Sequence, residues 1–195
     1  MSRWLSPSDF TGYYKISLNK FETPELQEFI DMLEVEVLQE LLGCELYDEF
    51  IADLDVDNNP QSAQFIAIFN EFCIDDTCIS STYYDEVLYP YSNTFYFKNV
   101  QRKSEGMVEM LKGFIFWAYV NEQKYKNTVT GQIVNDNETS REVMASEFQD
   151  FTAKRYNKAI DTYKNIQWYI CDNDEDYTAD FNGLRKDPIY FGGSI

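Results

Sequence analysis

The stretch from Ser104 to Tyr125, SEGMVEMLKGFIFWAYVNEQKY, restricts the fold more than any other part of the chain. On a wheel of 3.6 residues per turn, Met107, Met110, Leu111, Phe114, Trp117, Ala118 and Tyr125 share one face, while Ile115, Phe116, Tyr119 and Val120 point elsewhere. A helix that is apolar all round in its middle must be buried on more than one side, so the remaining segments have to supply the walls of a bundle. The apolar run from Phe114 to Val120 is about a third of the roughly 20 residues that cross a bilayer, and charges flank it closely, so no membrane insertion is expected.

The walls are legible in the periodicity. Thr23-Pro24-Glu25 offers an N-cap, a proline at the first helical position and an acid in the first turn. Leu26, Phe29, Ile30, Leu33, Val37 and Leu41 then recur at helical spacing, and Gly43 predicts a left-handed C-cap. A shorter helix is expected from Glu45 to Leu54 through Leu46, Phe50 and Ile51, and a third opening at Asn59-Pro60 with the stripe Phe65, Ile68, Phe69 and Phe72. From Cys73 to Gln101, tyrosines, prolines and alternations such as Thr94 to Phe97 suit a loop with one or two strands. Asn127 to Val134 places β-branched residues on both sides of Gly131 and reads as a small hairpin or extended loop.

A long final helix is predicted from Thr139 to Cys171. Met144, Phe148, Phe151, Tyr156, Ala159, Ile160, Tyr163, Ile166 and Ile170 form its apolar arc, with Asp150, Lys154, Lys158 and Asp161 opposite. Trp168 falls on the polar side, where it suits either a contact with another chain or a place beneath the tail. The expected architecture is mainly α. A helical bundle over residues 23–171 holds the buried central helix and the long C-terminal one, with an N-terminal arm over 1–22 and a C-terminal arm over 172–195. The first arm carries Trp4, Phe10, Tyr13 and Tyr14, and the second carries Tyr177, Phe181, Tyr190 and Phe191.

Composition narrows the chemistry. With 195 residues the chain can bury a core without metals or disulfides. It contains no histidine, and Cys44, Cys73, Cys78 and Cys171 form no CxxC pair, which leaves no histidine base, no histidine triad and no zinc pattern. No GxGxxG, P-loop or GxSxG occurs. Asp53, Asp55 and Asp57 resemble the start of a calcium loop, but Asn58 replaces the glycine of the sixth position and Gln64 the glutamate of the twelfth. No cofactor and no catalytic activity are expected. The first ten residues lack the apolar core of a signal peptide, so a cytoplasmic protein with reduced thiols is expected.

The net charge of −18 is unevenly placed. Between Phe21 and Phe97 there is no lysine or arginine but 18 of the 34 acids, so elsewhere 16 acids balance 16 bases. Such a block repels nucleic-acid backbone and anionic membrane and attracts a basic surface.

Several short stretches together resemble one family, the head-to-tail connector or adaptor ring proteins of tailed bacteriophages, particularly of crAss-like phages. They are Leu41-Leu-Gly-Cys-Glu-Leu-Tyr47, Gly113-Phe-Ile-Phe-Trp-Ala-Tyr-Val120, Asn127-Thr-Val-Thr-Gly131, Ser140, Asn165-Ile-Gln-Trp-Tyr-Ile170 and Phe181-Asn-Gly183. The resemblance implies a non-catalytic virion protein of the neck region, made in the host cytoplasm. It would form a ring, usually of twelve, beneath the portal protein and beside further neck or tail rings, with double-stranded DNA passing through unbound.

A head-to-tail ring needs two different, complementary surfaces on each subunit. The bases available are Lys98, Arg102, Lys103, Lys154, Arg155 and Lys158. Lys154, Arg155, Lys158, Trp168, Tyr177, Phe181, Tyr190 and Phe191 are the expected interface residues, and Glu28, Asp31, Glu34, Glu36 and Glu40 the acids facing the channel or a neighbour. If the tail is an arm of this kind, deleting Tyr177 to Ile195 leaves a folded protomer unable to assemble. Two other classes compete: an acidic DNA mimic that inhibits a nucleic-acid enzyme, and a hydrolase working with two carboxylates.

Overall fold

Helices make up most of the described residues. A computed structural model describes residues 3–16, 22–75, 101–124, 127–128, 131–132, 145–179 and 181–189. It is mainly helical: α1 is Glu22–Leu42, α2 Cys44–Ala52, α3 Ala63–Phe69, α4 Met107–Lys124 and α5 Ala145–Asp172. Strand β1 (Phe72–Asp75) pairs antiparallel with β2 (Gln101–Ser104), Phe72 opposite Ser104. The two-residue strands β3 (Asn127–Thr128) and β4 (Gly131–Gln132) form the expected hairpin. Among the described residues no helix is long and apolar enough to cross a membrane.

Two expected boundaries move for local reasons. The third helix begins at Ala63 because the preceding loop is tied to Asp53, whose carboxylate accepts the backbone N–H groups of Gln61 (2.8 Å) and Ser62 (2.9 Å) and the Ser62 hydroxyl. Phe72 leaves the helical stripe for β1, where its ring lies 5.0 Å from that of Tyr169. Ser104 likewise ends a strand. Gly106 makes the turn into α4 at φ +85°, close enough to Phe69 that a Cβ would stand 2.7 Å from its carbonyl oxygen.

The chain forms two compact units. The first draws on Met1–Val37, Val108–Ile160 and Asp187–Ile195, the second on Leu38–Met107 and Asp161–Lys186. In the first, Leu26 and Ile30 of α1, Leu111, Phe114, Ile115 and Phe116 of α4, and Ala159 and Ile160 of α5 are buried together with Leu5, Phe10 and Tyr14 of the N-terminal segment. Gly113 lets α4 and α5 close up there, since a Cβ on it would lie 2.6 Å from that of Ala159. In the second unit, Leu38, Leu41, Leu42, Leu46, Phe50, Phe65, Ile68, Tyr163, Ile166 and Ile170 are buried.

Gly43 has the positive φ expected of it (+80°), but its ψ of 165° is extended, not left-handed helical. The residue therefore closes α1 and opens α2 at once: its N–H bonds the Gln39 carbonyl at 2.8 Å and its own carbonyl accepts from Tyr47 at 3.0 Å. Up to Lys186 the tail continues the second unit as an irregular segment. Gln167, buried on α5, donates to the carbonyls of Leu41 (3.2 Å) and Leu184 (3.0 Å), and the Leu184 N–H returns to the Glu40 carbonyl at 2.6 Å. Orphan carbonyls at the end of α1 are thus capped by α5 and the tail together, Leu41 by Gln167 and Glu40 by the Leu184 N–H. Asn182 and Gly183 pack where a side chain on Gly43 or Gly183 would collide with Asn182 or with the Leu41 carbonyl. Three of the short stretches singled out in the sequence, Leu41–Tyr47, Asn165–Ile170 and Phe181–Gly183, meet at this one place.

Candidate functional site

The first unit carries two unlike surface patches. Along α1, Glu28, Met32, Val35 and Glu36 are all exposed, Met32 by 56 % and Val35 by 41 %. Glu28, Met32 and Glu36 follow one another at four-residue spacing and Val35 lies three after Met32, which makes them one outer stripe, apolar in the centre and acidic at both ends. Leu26, Ile30 and Val37 point inward from the same helix. Sequence reasoning did not single out Met32 and Val35, although the signal was present: both fall off the buried stripe.

The second patch is aromatic and basic. On α5, Phe151 is 46 % exposed and Lys154 is exposed, and beside them Tyr13 of the N-terminal segment is 45 % exposed. The Arg155 guanidinium lies 3.5 Å from the Phe151 ring centre and 4.4 Å from that of Tyr13, and Lys158 Nζ is 4.7 Å from the Tyr13 ring. Such cation–π contacts fix the rings and leave their outer faces in water. Phe151, expected on the core arc, instead lies at the margin of the core and forms part of this patch.

The predicted site residues divide into those free to face a partner and those used within the protomer. Glu28 and Glu36 are exposed, and Asp31 is half-buried, its carboxylate accepting from Gln27 at 2.9 Å. Glu40 is half-buried and ion-paired with Lys186. Glu34 departs from expectation. It is only 1 % exposed, and its carboxylate accepts the N–H groups of Arg3 (2.6 Å) and Trp4 (3.4 Å), so within the protomer it fastens the N-terminal segment and presents no surface charge. Burial pushes its carboxyl above the ordinary value, against the lowering effect of those N–H donors.

Arg155 also departs in part. Its Nε donates to the Tyr13 carbonyl at 2.8 Å and one terminal nitrogen to the Phe151 carbonyl at 3.2 Å, so it is a clamp on its own chain. Lys154 pairs with Asp150 at 2.6 Å, one helical turn away, with both side chains well exposed. Exposed pairs of this kind exchange partners at little cost.

In the second unit, Tyr177 is buried, its hydroxyl donating to the Gln64 carbonyl at 3.2 Å and its ring edge-on to Phe65 at 5.8 Å. Phe181 is half-buried beside Gly183. Trp168 is half-buried with its indole nitrogen withdrawn from solvent, so the polar edge of the ring is not a surface feature. Tyr177 and Phe181 are thus used within the second unit, to which the tail belongs as far as Lys186. Tyr190 and Phe191 lie outside the described residues, as do Thr94 to Phe97, Lys98, Tyr125 and the expected start of the last helix at Thr139 and Ser140.

The calcium-like loop uses its carboxylates internally. Asp55 accepts from the N–H groups of Asp57 (2.9 Å) and Asn59 (2.8 Å), and Asp53 holds Gln61 and Ser62 as described. Asn58 takes the positive φ (+61°) that glycine would take at the same place. Backbone donors thus occupy oxygens that a cation would need.

Comparison of the chain with protein-family models, with curated proteins and with solved structures finds no match.

Proposed function

We propose that this protein is a structural, non-catalytic subunit that joins copies of itself head to tail in a connector ring at the neck of a phage virion. The ring would sit between the portal protein and further neck or tail rings, and double-stranded DNA would leave through it without being bound. The observation that carries this reading is the pair of unlike patches on the first unit, Glu28–Met32–Val35–Glu36 on α1 and Tyr13–Phe151–Lys154–Lys158 around α5. Each has an apolar centre, and their flanking charges are opposite. A heterologous contact needs such a pair, because one copy must offer one patch and the next copy the other. Burial of Met32 and Val35 against Tyr13 and Phe151 would supply the apolar core of that contact, and the rim charges would fix its register. Ring closure and the place in the virion come from the resemblance of the short stretches quoted above.

Sedimentation of the purified protein, alone and mixed with the portal ring of the same genome, tests the reading. A defined multiple that co-migrates with the portal is the expected result. Lys154→Glu with Lys158→Glu should weaken that assembly, and adding Glu28→Lys with Glu36→Lys should restore it. Assembly indifferent to both exchanges would remove the patch pairing, and a protein that stays monomeric and unbound throughout would remove the connector role.

A further inference from the structure

The first unit also holds a cavity of about 330 Å³ lined by Lys15, Ile16, Glu22, Phe116, Tyr119, Val120, Gln123 and Phe151. That is near the lower end of the roughly 300–1,000 Å³ usual for small-molecule pockets. Tyr119 and Gln123 stand one helical turn apart on α4. Tyr119 is 2 % exposed, and among the described residues neither its hydroxyl nor the Gln123 Nε2 has a hydrogen-bond partner, although both atoms are buried. Buried polar groups in folded proteins are nearly always paired, and each orphan costs about as much as a lost hydrogen bond. Two orphans lining one cavity call for a common partner.

We propose that this cavity binds a small uncharged ligand with a flat apolar body and one hydrogen-bond acceptor, held against the corner formed by Phe116 and Phe151 with the acceptor shared by the Tyr119 hydroxyl and the Gln123 carboxamide. The chemistry of the lining sets that class. Phe116 and Phe151 have ring centres 6.2 Å apart at 58°, an aromatic corner suited to a flat body, and Ile16 and Val120 add aliphatic wall. The free polar atoms are donors: burial and the nearby Glu25 and Glu22 carboxylates push the Tyr119 hydroxyl up to about 12, so it keeps its proton, and the carboxamide nitrogen has only protons to give. The same carboxylates disfavour an anionic acceptor, and the lining itself carries one charge of each sign, Lys15 and Glu22. The site lies within one unit of one protomer and does not depend on assembly.

Benzamide and toluene are matched probes, alike in the ring and differing in the acceptor. Titration of each into the full-length protein, followed by the NMR shifts of the Gln123 side-chain amide, should show benzamide binding about fivefold more tightly, the factor that about 1 kcal/mol from one net hydrogen bond gives. Tyr119→Phe, which removes a single oxygen, should reduce that preference while leaving toluene binding unchanged. Val120→Trp should abolish both. Equal affinities for the two probes, a preference untouched by Tyr119→Phe, or no saturable shift with either probe would each overturn the proposal.

Discussion

Two irregular, aromatic segments hold to the helices by different chemistry. The N-terminal segment is fastened in the first unit by charged groups: the Glu34 carboxylate gathers the N–H groups of Arg3 and Trp4, and Arg155 takes the Tyr13 carbonyl while stacking on its ring. The tail is fastened in the second unit almost entirely by neutral groups: the Gln167 carboxamide, the Tyr163 hydroxyl on the Leu184 carbonyl at 2.6 Å, and the main chain of Leu184. Two carboxylates also reach it, Glu40 pairing with Lys186 and Glu49 accepting the Thr178 hydroxyl at 3.1 Å, both at partly or fully exposed positions. A neutral anchorage keeps its strength over a wide range of pH, whereas a buried carboxylate ties the segment it holds to the proton concentration.

The sharpest way to break this contrast is to remove the tail. Deleting Tyr177 to Ile195 uncovers the core that Tyr177 fills and the carbonyls of Glu40 and Leu41, so it should cost about 4 kcal/mol or more and expose the second unit to hydrogen exchange. The protomer would then fail by unfolding, not by assembly alone, which reverses the expectation drawn from the sequence. Gly183→Ala asks the same question more locally. A Cβ there meets the Leu41 carbonyl, the Phe181 ring and Gln167, and a loss of about 2 kcal/mol, read from urea denaturation and unchanged between pH 5 and pH 8, is expected.

On the other side of the comparison, Glu34→Ala strands two N–H groups and should cost about 1–2 kcal/mol, with faster exchange confined to the N-terminal segment. The pH dependence has a definite sign. Because the folded-state carboxyl is raised above 4.5, the native protein holds a proton that the unfolded chain releases. The stabilisation this adds is complete below 4.5 and lost as pH rises through the folded value. Melting temperatures of wild type and Glu34→Gln, compared at several pH values from 4 to 8, should therefore converge upward for wild type on the acid side, and parallel curves would refute the linkage. The smallest effect belongs to Arg155→Lys. It keeps the charge but loses the planar stack and the directed bond to Tyr13, for about 1 kcal/mol, and should leave tail exchange untouched.

The sequence was legible where local pattern decides the outcome. The buried positions Leu26, Ile30, Val37 and Leu41 of α1, the all-round burial of Phe114, Ile115 and Phe116, and the Asn127–Gln132 hairpin follow from spacing and turn chemistry alone. It was least legible where distant segments meet. Glu34 stands four residues after Ile30 and three before Val37, on the buried face, but nothing local announces the N-terminal segment about 30 positions earlier that covers it, while Glu36 faces water. The pairing of Phe72 with Ser104 is equally non-local, so Phe72 read as helical stripe and Ser104 as helix start. Arg155 counted as a free base because nothing nearby in sequence announces Tyr13. Of the candidate surfaces, the acids and lysines were visible, while their apolar centres emerged only when Met32 and Val35 proved to be outside the core and Phe151 at its edge.

The capping of α1 by the tail has a consequence for synthesis. Gln167 reaches Leu41 across 126 positions, and Arg155 reaches Tyr13 across 142. At roughly 5–20 residues per second, the end of α1 leaves the ribosome several seconds before its capping partners exist. During that interval Leu41, Leu42 and Leu46 have no tail to complete their surroundings, and closing loops of this length is slow. Neither unit can complete its packing before the segment around Gly183 and the residues just after it have been made.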